Sequence, residues 1–209
     1  MNVSLRERGD LTIHPLPPMW RERALVLSGV TAPAEWFSDQ ELEEASRFSR
    51  PKRREEWLAS RAAAKQLALQ RGLCLSPREC LIDRPRIRIA GSEQFYVALS
   101  HSREFCAAAM DLAPIGIDVE ALREVDERMA RFFLTEEEAA SLENTAINHR
   151  LLHFWTAKEA AWKRLQGEVT TLKQVALVLI EERENGLLFD QAETWAIDGA
   201  IVALTHPTS

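Results

Sequence analysis

Trp57-Leu58-Ala59-Ser60-Arg61-Ala62-Ala63-Ala64-Lys65-Gln66-Leu67 recurs 98 positions later as Trp155-Thr156-Ala157-Lys158-Glu159-Ala160-Ala161-Trp162-Lys163-Arg164-Leu165, with six of the eleven positions identical. Both copies lie in runs of good helix formers. Upstream of each stands an S/T-x-x-E capping box, Ser38-Asp39-Gln40-Glu41 and Thr135-Glu136-Glu137-Glu138, 97 positions apart, in which hydroxyl and carboxylate satisfy the free amides of a helix start. Downstream, Val97-Ala98-Leu99-Ser100-His101 matches Val202-Ala203-Leu204-Thr205-His206 at an interval of 105. Alanine-rich helices also resemble one another by composition, but three elements recurring in one order predict a duplication. The expected fold is α+β, with two similar α/β halves, residues 1–112 and 113–209, about a pseudo-two-fold axis.

Around this frame, Lys52 to Arg71 reads as the long helix of the first half, stopped by Gly72. Phe95 to Ser100, Glu104 to Met110 and Ile115 to Glu120 read as three strands of a meander. Met1 to Met19, with Gly9, Pro15, Pro17 and Pro18, show no sustained period and read as an irregular arm.

Composition narrows the function. The 209 residues are 46% hydrophobic and 28% charged, suited to one large core or two small ones. A net charge of −6 provides no global basic field, which argues against a nucleic-acid role and leaves any phosphate ligand to local clusters. Cys74, Cys80 and Cys106 are odd in number, without zinc-site spacing or a preceding secretory signal, so a reducing cytoplasm is expected. The longest apolar run, Val175 to Ile180, falls far short of the roughly 20 residues of a spanning helix, and no membrane role is expected.

Where the duplicated helices differ in chemistry is informative: Arg61 in the first aligns with Glu159 in the second. If the halves pack together, a cleft between them receives a cation from one side and an anion from the other. In Ile115-Gly116-Ile117-Asp118-Val119-Glu120, strand alternation sets Asp118 and Glu120 on one face, about 6 to 7 Å apart along the backbone, where both reach one hard cation. A solvated strand face is the alternative. Gly116 is expected to leave room beside them for a ligand.

On the second helix, Leu151, Trp155, Trp162 and Leu165 share a broad arc that Lys158 and Glu159 border. Charges beside an apolar stripe need a partner, a metal or a path to water. A Glu159–Lys163 pair four residues apart is the simplest structural account. On the first helix, Arg54, Arg61 and Lys65 project within about 40° of one another, a basic ridge fit to bind phosphate or simply to reach water. His101, between Ser100 and Ser102 at a strand end, offers further donors for phosphate or sits in a surface turn.

These segments resemble the 4′-phosphopantetheinyl transferase superfamily, and within it the two-halved, broad-substrate type that activates surfactin synthetase. Its G-[IV]-D-[IV]-E strand matches Gly116-Ile117-Asp118-Val119-Glu120, and its W-[ST]-x-K-E-[AS]-x-x-K helix matches Trp155 to Lys163. Arg131-Phe132-Phe133-Leu134-Thr135-Glu136-Glu137-Glu138 is similar to its R-F-F-T-x-x-E segment with one residue added. Arg53 to Arg61 resembles its R-x-x-x-[FW]-L-x-[GS]-R helix, and Leu99-Ser100-His101-Ser102 its serine-histidine strand end. The likeness covers roughly residues 35 to 170.

The resemblance implies a Mg²⁺-dependent holo-[acyl-carrier-protein] synthase. Such an enzyme moves 4′-phosphopantetheine from coenzyme A to a serine of an acyl or peptidyl carrier protein of fatty-acid, polyketide or nonribosomal peptide biosynthesis, releasing 3′,5′-ADP. It implies metal ligands Asp118, Glu120 and Glu159, and Lys158 and Lys163 on the phosphates. Arg53, Arg61, Ser100 and His101 would hold the nucleotide end, with Arg54 competing with Arg53 on helical geometry. Catalysis would rest on Asp118, Glu159 and Lys163, with Glu159 also orienting or accepting the serine proton. A monomer is expected, since one chain supplies both walls of the cleft. A non-catalytic coenzyme A or nucleotide binder and a metal-dependent phosphohydrolase are the alternatives. The chain departs from the family after Gly167, where Glu168-Val169-Thr170 replaces the usual G-x-G-[LI] ending, and at Ser60, where glycine is frequent.

Overall fold

The computed structural model describes residues 12–29, 33–83, 86–89, 95–165 and 168–206. Its helices are α1 (Asp39–Ser46), α2 (Pro51–Gln70), α3 (Ala130–Phe133), α4 (Glu136–Glu143) and α5 (Arg150–Leu165). Its strands are β1 (Thr12–Ile13), β2 (Ala24–Ser28), β3 (Cys80–Asp83), β4 (Arg86–Ile89), β5 (Phe95–Ser102), β6 (Phe105–Asp111), β7 (Ile117–Ala121), β8 (Leu179–Arg183), β9 (Gly186–Phe189), β10 (Ala192–Ile197) and β11 (Ala200–Thr205).

Both capping boxes form. Glu41 N–H donates to Ser38 Oγ at 3.2 Å and Ser38 N–H returns a bond to Glu41 Oε2 at 2.9 Å, opening α1. Thr135 and Glu138 repeat the exchange at 3.2 and 2.8 Å, opening α4. Helix α2 begins with Pro51 in its first turn, where no amide is missed. It ends as expected at Gly72, whose φ of +64° reverses the chain while Gly72 N–H and Leu73 N–H bond back to the Leu69 and Ala68 carbonyls.

The strands form two antiparallel sheets, β1-β2-β6-β5-β4-β3 and β7-β11-β10-β9-β8. The fold is thus α+β, each sheet built from one side of the Asp111/Ile117 junction. The apolar residues sort into layers. Ala63, Ala64, Leu67 and Ala68 of α2 pack on Val97, Leu99, Cys106, Ala108 and Met110 of the first sheet. Phe154, Ala157, Ala160 and Ala161 of α5 pack on Leu187, Phe189 and Ala203 of the second. Between the sheets, Val26, Ala98, Ala107 and Ala109 meet Ile117, Val119, Val202 and Leu204. Alternate residues of each central strand therefore serve helix and opposite sheet in turn.

Four expectations need correction. Ile117–Ala121 is a strand, but it does not continue a meander with β5 and β6: it pairs with β11 and opens the second sheet. The match of 97–101 to 202–206 fails in facing: Val97 and Leu99 pack on α2, whereas Val202 and Leu204 face the other sheet and Ala203 takes the helix. A side-chain period of two makes an offset wrong by one residue reverse every face. The N-terminal stretch is not wholly irregular either. Thr12 and Ile13 pair with Ser28 and Leu27, and Trp20 Nε1–H reaches Glu193 Oε2 of the second sheet at 3.2 Å; residues 1–11 lie outside the described residues. Finally, Lys65 belongs to no surface ridge. It is fully buried, its Nζ donating to Glu41 Oε2 at 3.1 Å and to the carbonyls of Pro77 and Cys80.

The second half carries a comparable pair: Lys158, also fully buried, donates to Glu138 at 2.7 and 2.5 Å. In each half the capping-box glutamate thus receives a buried lysine from the long helix. Burial lowers the pKa of both ammonium groups and the partner glutamate opposes the shift. Such pairs are costly to break, because the surviving charge is left dry.

Candidate active site

Strand β7 is an edge strand of its sheet, and its alternation sends Ile117 and Val119 between the sheets and Asp118 and Glu120 to the other side. Helix α5 lies over that side at very short range. A Cβ on Gly116 would fall 1.8 Å from the Ala160 carbonyl oxygen and 3.0 Å from Arg164 N. Gly116 therefore does not make room for a ligand, as the sequence led us to expect; it makes room for the helix backbone. The close approach brings Glu159 and Lys163 of α5 against the two acids of β7.

Asp118 Oδ1 is met by Lys163 Nζ at 2.6 Å and by Ser100 Oγ–H at 2.7 Å, and Lys163 Nζ also donates to Ser100 Oγ at 3.0 Å. The other oxygen, Asp118 Oδ2, is buried with no hydrogen-bond partner. Glu120 accepts from Trp155 Nε1–H at 3.1 Å and Ser102 Oγ–H at 3.1 Å, with Arg123 Nη2 3.6 Å away. The Glu159 carboxyl is pushed up to about 7, chiefly by burial and next by the negative charge of Asp118, while Lys163 pulls the other way and Glu120 adds to the rise.

These acids form one wall of a cleft of about 320 Å³. Its other wall comes from α2 and the end of β5: Arg53, Trp57, Ser60, Arg61, Ser100 and His101. Arg61 stacks on Trp57 with its guanidinium carbon 3.4 Å from the ring centroid, a contact that holds the planar fork in one orientation. Arg53 Nη1–H donates to His101 Nε2 at 2.7 Å, and Glu56 Oε2 lies 3.4 Å from the same nitrogen. The cleft thus sets cations across from a carboxylate cluster, a fit for a ligand that carries phosphates together with a hard cation.

Residues 114–197 match the model of the 4′-phosphopantetheinyl transferase superfamily, so the likeness drawn from the motifs is shown over most of the second half. Among curated proteins, the chain is 38% identical over 69 residues to the 4′-phosphopantetheinyl transferase psf-1 of Bacillus pumilus. It is 36% identical over 70 residues to the 4′-phosphopantetheinyl transferase gsp of Aneurinibacillus migulanus. Each alignment spans 32% of this chain and 30% of the relative's length.

Of the residues singled out from sequence, Asp118, Glu120, Glu159, Lys163, Arg53, Arg61, Ser100 and His101 line this one cleft. Lys158 does not: it is sealed in the core by Glu138. Arg54 is half-buried and is not among the lining residues; the lining arginine is Arg53. Ser100 is turned toward Asp118.

The apolar arc of α5 holds in part: Leu151 is buried in the core and Trp155 and Leu165 pack against it half-buried, but Phe154, Ala157, Ala160 and Ala161 complete the buried face and Trp162 is 36% exposed. Small residues occupy the core face because the sheet comes so close, and the tryptophans stand at its rim. Sequence reasoning missed Ser102, Glu56 and the polar use of the Trp155 indole. Ser102 had a signal, standing two residues after Ser100 as Glu120 stands two after Asp118.

Cys74, Cys80 and Cys106 are free and buried, with Cys80 Sγ 3.0 Å from Cys74 Sγ. No helix among the described residues is long and apolar enough to cross a membrane.

Proposed function

We propose that this protein transfers the 4′-phosphopantetheine group of coenzyme A to a carrier-protein serine, with Mg²⁺ as cofactor and 3′,5′-ADP as the second product. The observation that carries the reading is the convergence of Asp118, Glu120, Glu159, Lys163, Arg53, Arg61 and His101 on one cleft, in a chain whose second half matches that superfamily.

Among the described residues no three acid, imidazole or thiol groups stand ready-gathered for a metal. The donor set nevertheless fits one. Asp118 Oδ2 is buried without a partner, and the Glu159 carboxyl is raised first by burial and then by the charge of Asp118, with a smaller rise from Glu120, a buried negative cluster that a hard cation relieves. Asp118, Glu120 and Glu159 would hold Mg²⁺, which supplies Lewis-acid polarisation and a template for a pyrophosphate.

The chain's own groups do the rest. Arg53, Arg61 and His101 bind the nucleotide-end phosphates, and Lys163 offers a fixed positive charge where negative charge grows as the phosphoanhydride bond breaks. The serine hydroxyl attacks the phosphorus next to pantetheine, an O–P bond forms, and the 3′,5′-ADP oxygen leaves with the bond pair. Glu159, on the wall of the cleft, is placed to take the serine proton, directly or through one water.

Within this reading residues 1–112 and 113–209 are two halves about a pseudo-two-fold axis, the chain acts as a monomer, and its three free thiols suit the reducing cytoplasm. Incubating it with coenzyme A and Mg²⁺, with and without several apo carrier proteins, tests the assignment by intact mass. Carrier modification supports transfer. Coenzyme A cleavage without carrier supports a phosphohydrolase, and binding without turnover a non-catalytic relative.

A further inference from the structure

Two serines on β5 run in step with two acids on β7. Ser100 Oγ–H donates to Asp118 Oδ1 at 2.7 Å and Ser102 Oγ–H to Glu120 Oε2 at 3.1 Å, both across a separation of 18 residues. β5 and β7 belong to different sheets and share no backbone ladder, so these side chains are direct polar ties between the halves at the cleft. Ser102 is anchored in turn, its Oγ accepting from Ala121 N–H at 3.1 Å.

On its other oxygen Glu120 receives the Trp155 indole at 3.1 Å. Phe133 braces that indole edge-on, with ring centroids 5.0 Å apart and planes at 87°, and Phe133 is itself buried. Each Glu120 oxygen thus accepts one hydrogen bond, with Arg123 Nη2 ion-paired to Oε2 at 3.6 Å, and a carboxylate has about four acceptor sites, so acceptor capacity remains for a cation. A glutamate side chain otherwise loses substantial rotamer freedom when it takes a ligand.

We infer that Ser102 and Trp155 are positioning residues that hold the Glu120 carboxylate in a cation-binding pose, Ser102 from the first half and Trp155 from the second. This rests on the metal role given to Glu120 above. It also explains why the cleft needs both halves: the ligand sits on one of them and its orientation comes partly from the other. Loss of such outer partners weakens metal affinity by roughly 10- to 100-fold in known metal sites.

The test is titration of Mn²⁺, standing in for Mg²⁺, into the purified protein, followed by loss of the free-ion electron paramagnetic resonance signal. Ser102→Ala should weaken binding about 10-fold in protein that stays folded at the assay temperature, Ser102→Thr should restore it, and Trp155→Phe should weaken it independently of the serine. Asp118→Asn is the control for the metal site itself. If Asp118→Asn weakens Mn²⁺ binding while Ser102→Ala and Trp155→Phe match wild type, the positioning role is overturned and the metal site stands. If Asp118→Asn also binds like wild type, the metal site fails and the positioning role with it.

Discussion

Gly116 and Ala160 touch backbone to backbone: a single methyl on Gly116 would sit 1.8 Å from the Ala160 carbonyl oxygen. The helix and the residue that leads into the strand are therefore packed backbone to backbone, and that close approach sets Glu159 and Lys163 beside Asp118.

Gly116→Ala should accordingly push α5 off β7. Overpacking of this kind typically costs about 1–3 kcal/mol, and the same movement would separate Glu159 from Asp118. Urea unfolding should report the stability loss, and transfer should fall by more than tenfold in the fraction that remains folded. Native stability with native turnover would show that the helix is not pressed on the strand here.

Lys158 is assigned to the core, not to the phosphates. Lys158→Met should destabilise the fold by about 3–5 kcal/mol, the usual cost of stranding a buried partner. Glu138 would keep only the amides of Thr135 and Leu177. The KM for coenzyme A, measured well below the melting temperature, should stay within about twofold. A stable variant with a strongly raised KM would return Lys158 to the ligand.

Arg53 and Arg54 separate cleanly. Arg53 lines the cleft beside His101, and Arg54 does not. Arg53→Ala should weaken coenzyme A binding by about 1.5–3 kcal/mol, the worth of a charge-assisted hydrogen bond, with dephospho-coenzyme A much less affected. Arg54→Ala should bind both like wild type. Calorimetry on the two ligands distinguishes them, and equal losses in both variants would contradict the placement.

How much of this was legible in sequence differs from element to element. The capping boxes, the long helix and its glycine stop, and the alternation at 115–120 were readable because each depends on local backbone demands. The sheet partner of β7 was not, because nothing within five residues says whether a strand continues one sheet or opens another. Facing failed for the same reason at 202–206, where similar residues served opposite sides. At the site, Asp118, Glu120 and Glu159 came from spacing and family likeness. Lys65 and Lys158 were misread because a lysine on a helix looks alike whether it meets water or a buried glutamate twenty-odd residues away in sequence.

His153 offers a stability readout away from the cleft. It is buried, its Nδ1 2.8 Å from Thr194 Oγ1, and burial depresses its pKa to about 4. The unfolded chain binds a proton at this residue near pH 6.5 while the folded chain resists it down to about 4. Its contribution is therefore fully present above pH 6.5 and is lost as pH falls to 4, by at most about 3 kcal/mol. Unfolding free energies across that window should fall more steeply for wild type than for His153→Gln, and parallel curves would remove His153 as a source of acid sensitivity.

Asp118, Glu120 and Glu159 line one cleft, and the proposed transfer depends on their acting there together. Its most direct test is intact-mass analysis of apo carrier proteins after incubation with coenzyme A and Mg²⁺, using wild type and Asp118→Ala side by side. The account predicts a phosphopantetheine adduct on carrier serine with wild type and none with the folded Asp118→Ala variant. Equal adduct from both, or none from wild type with any carrier, would contradict it.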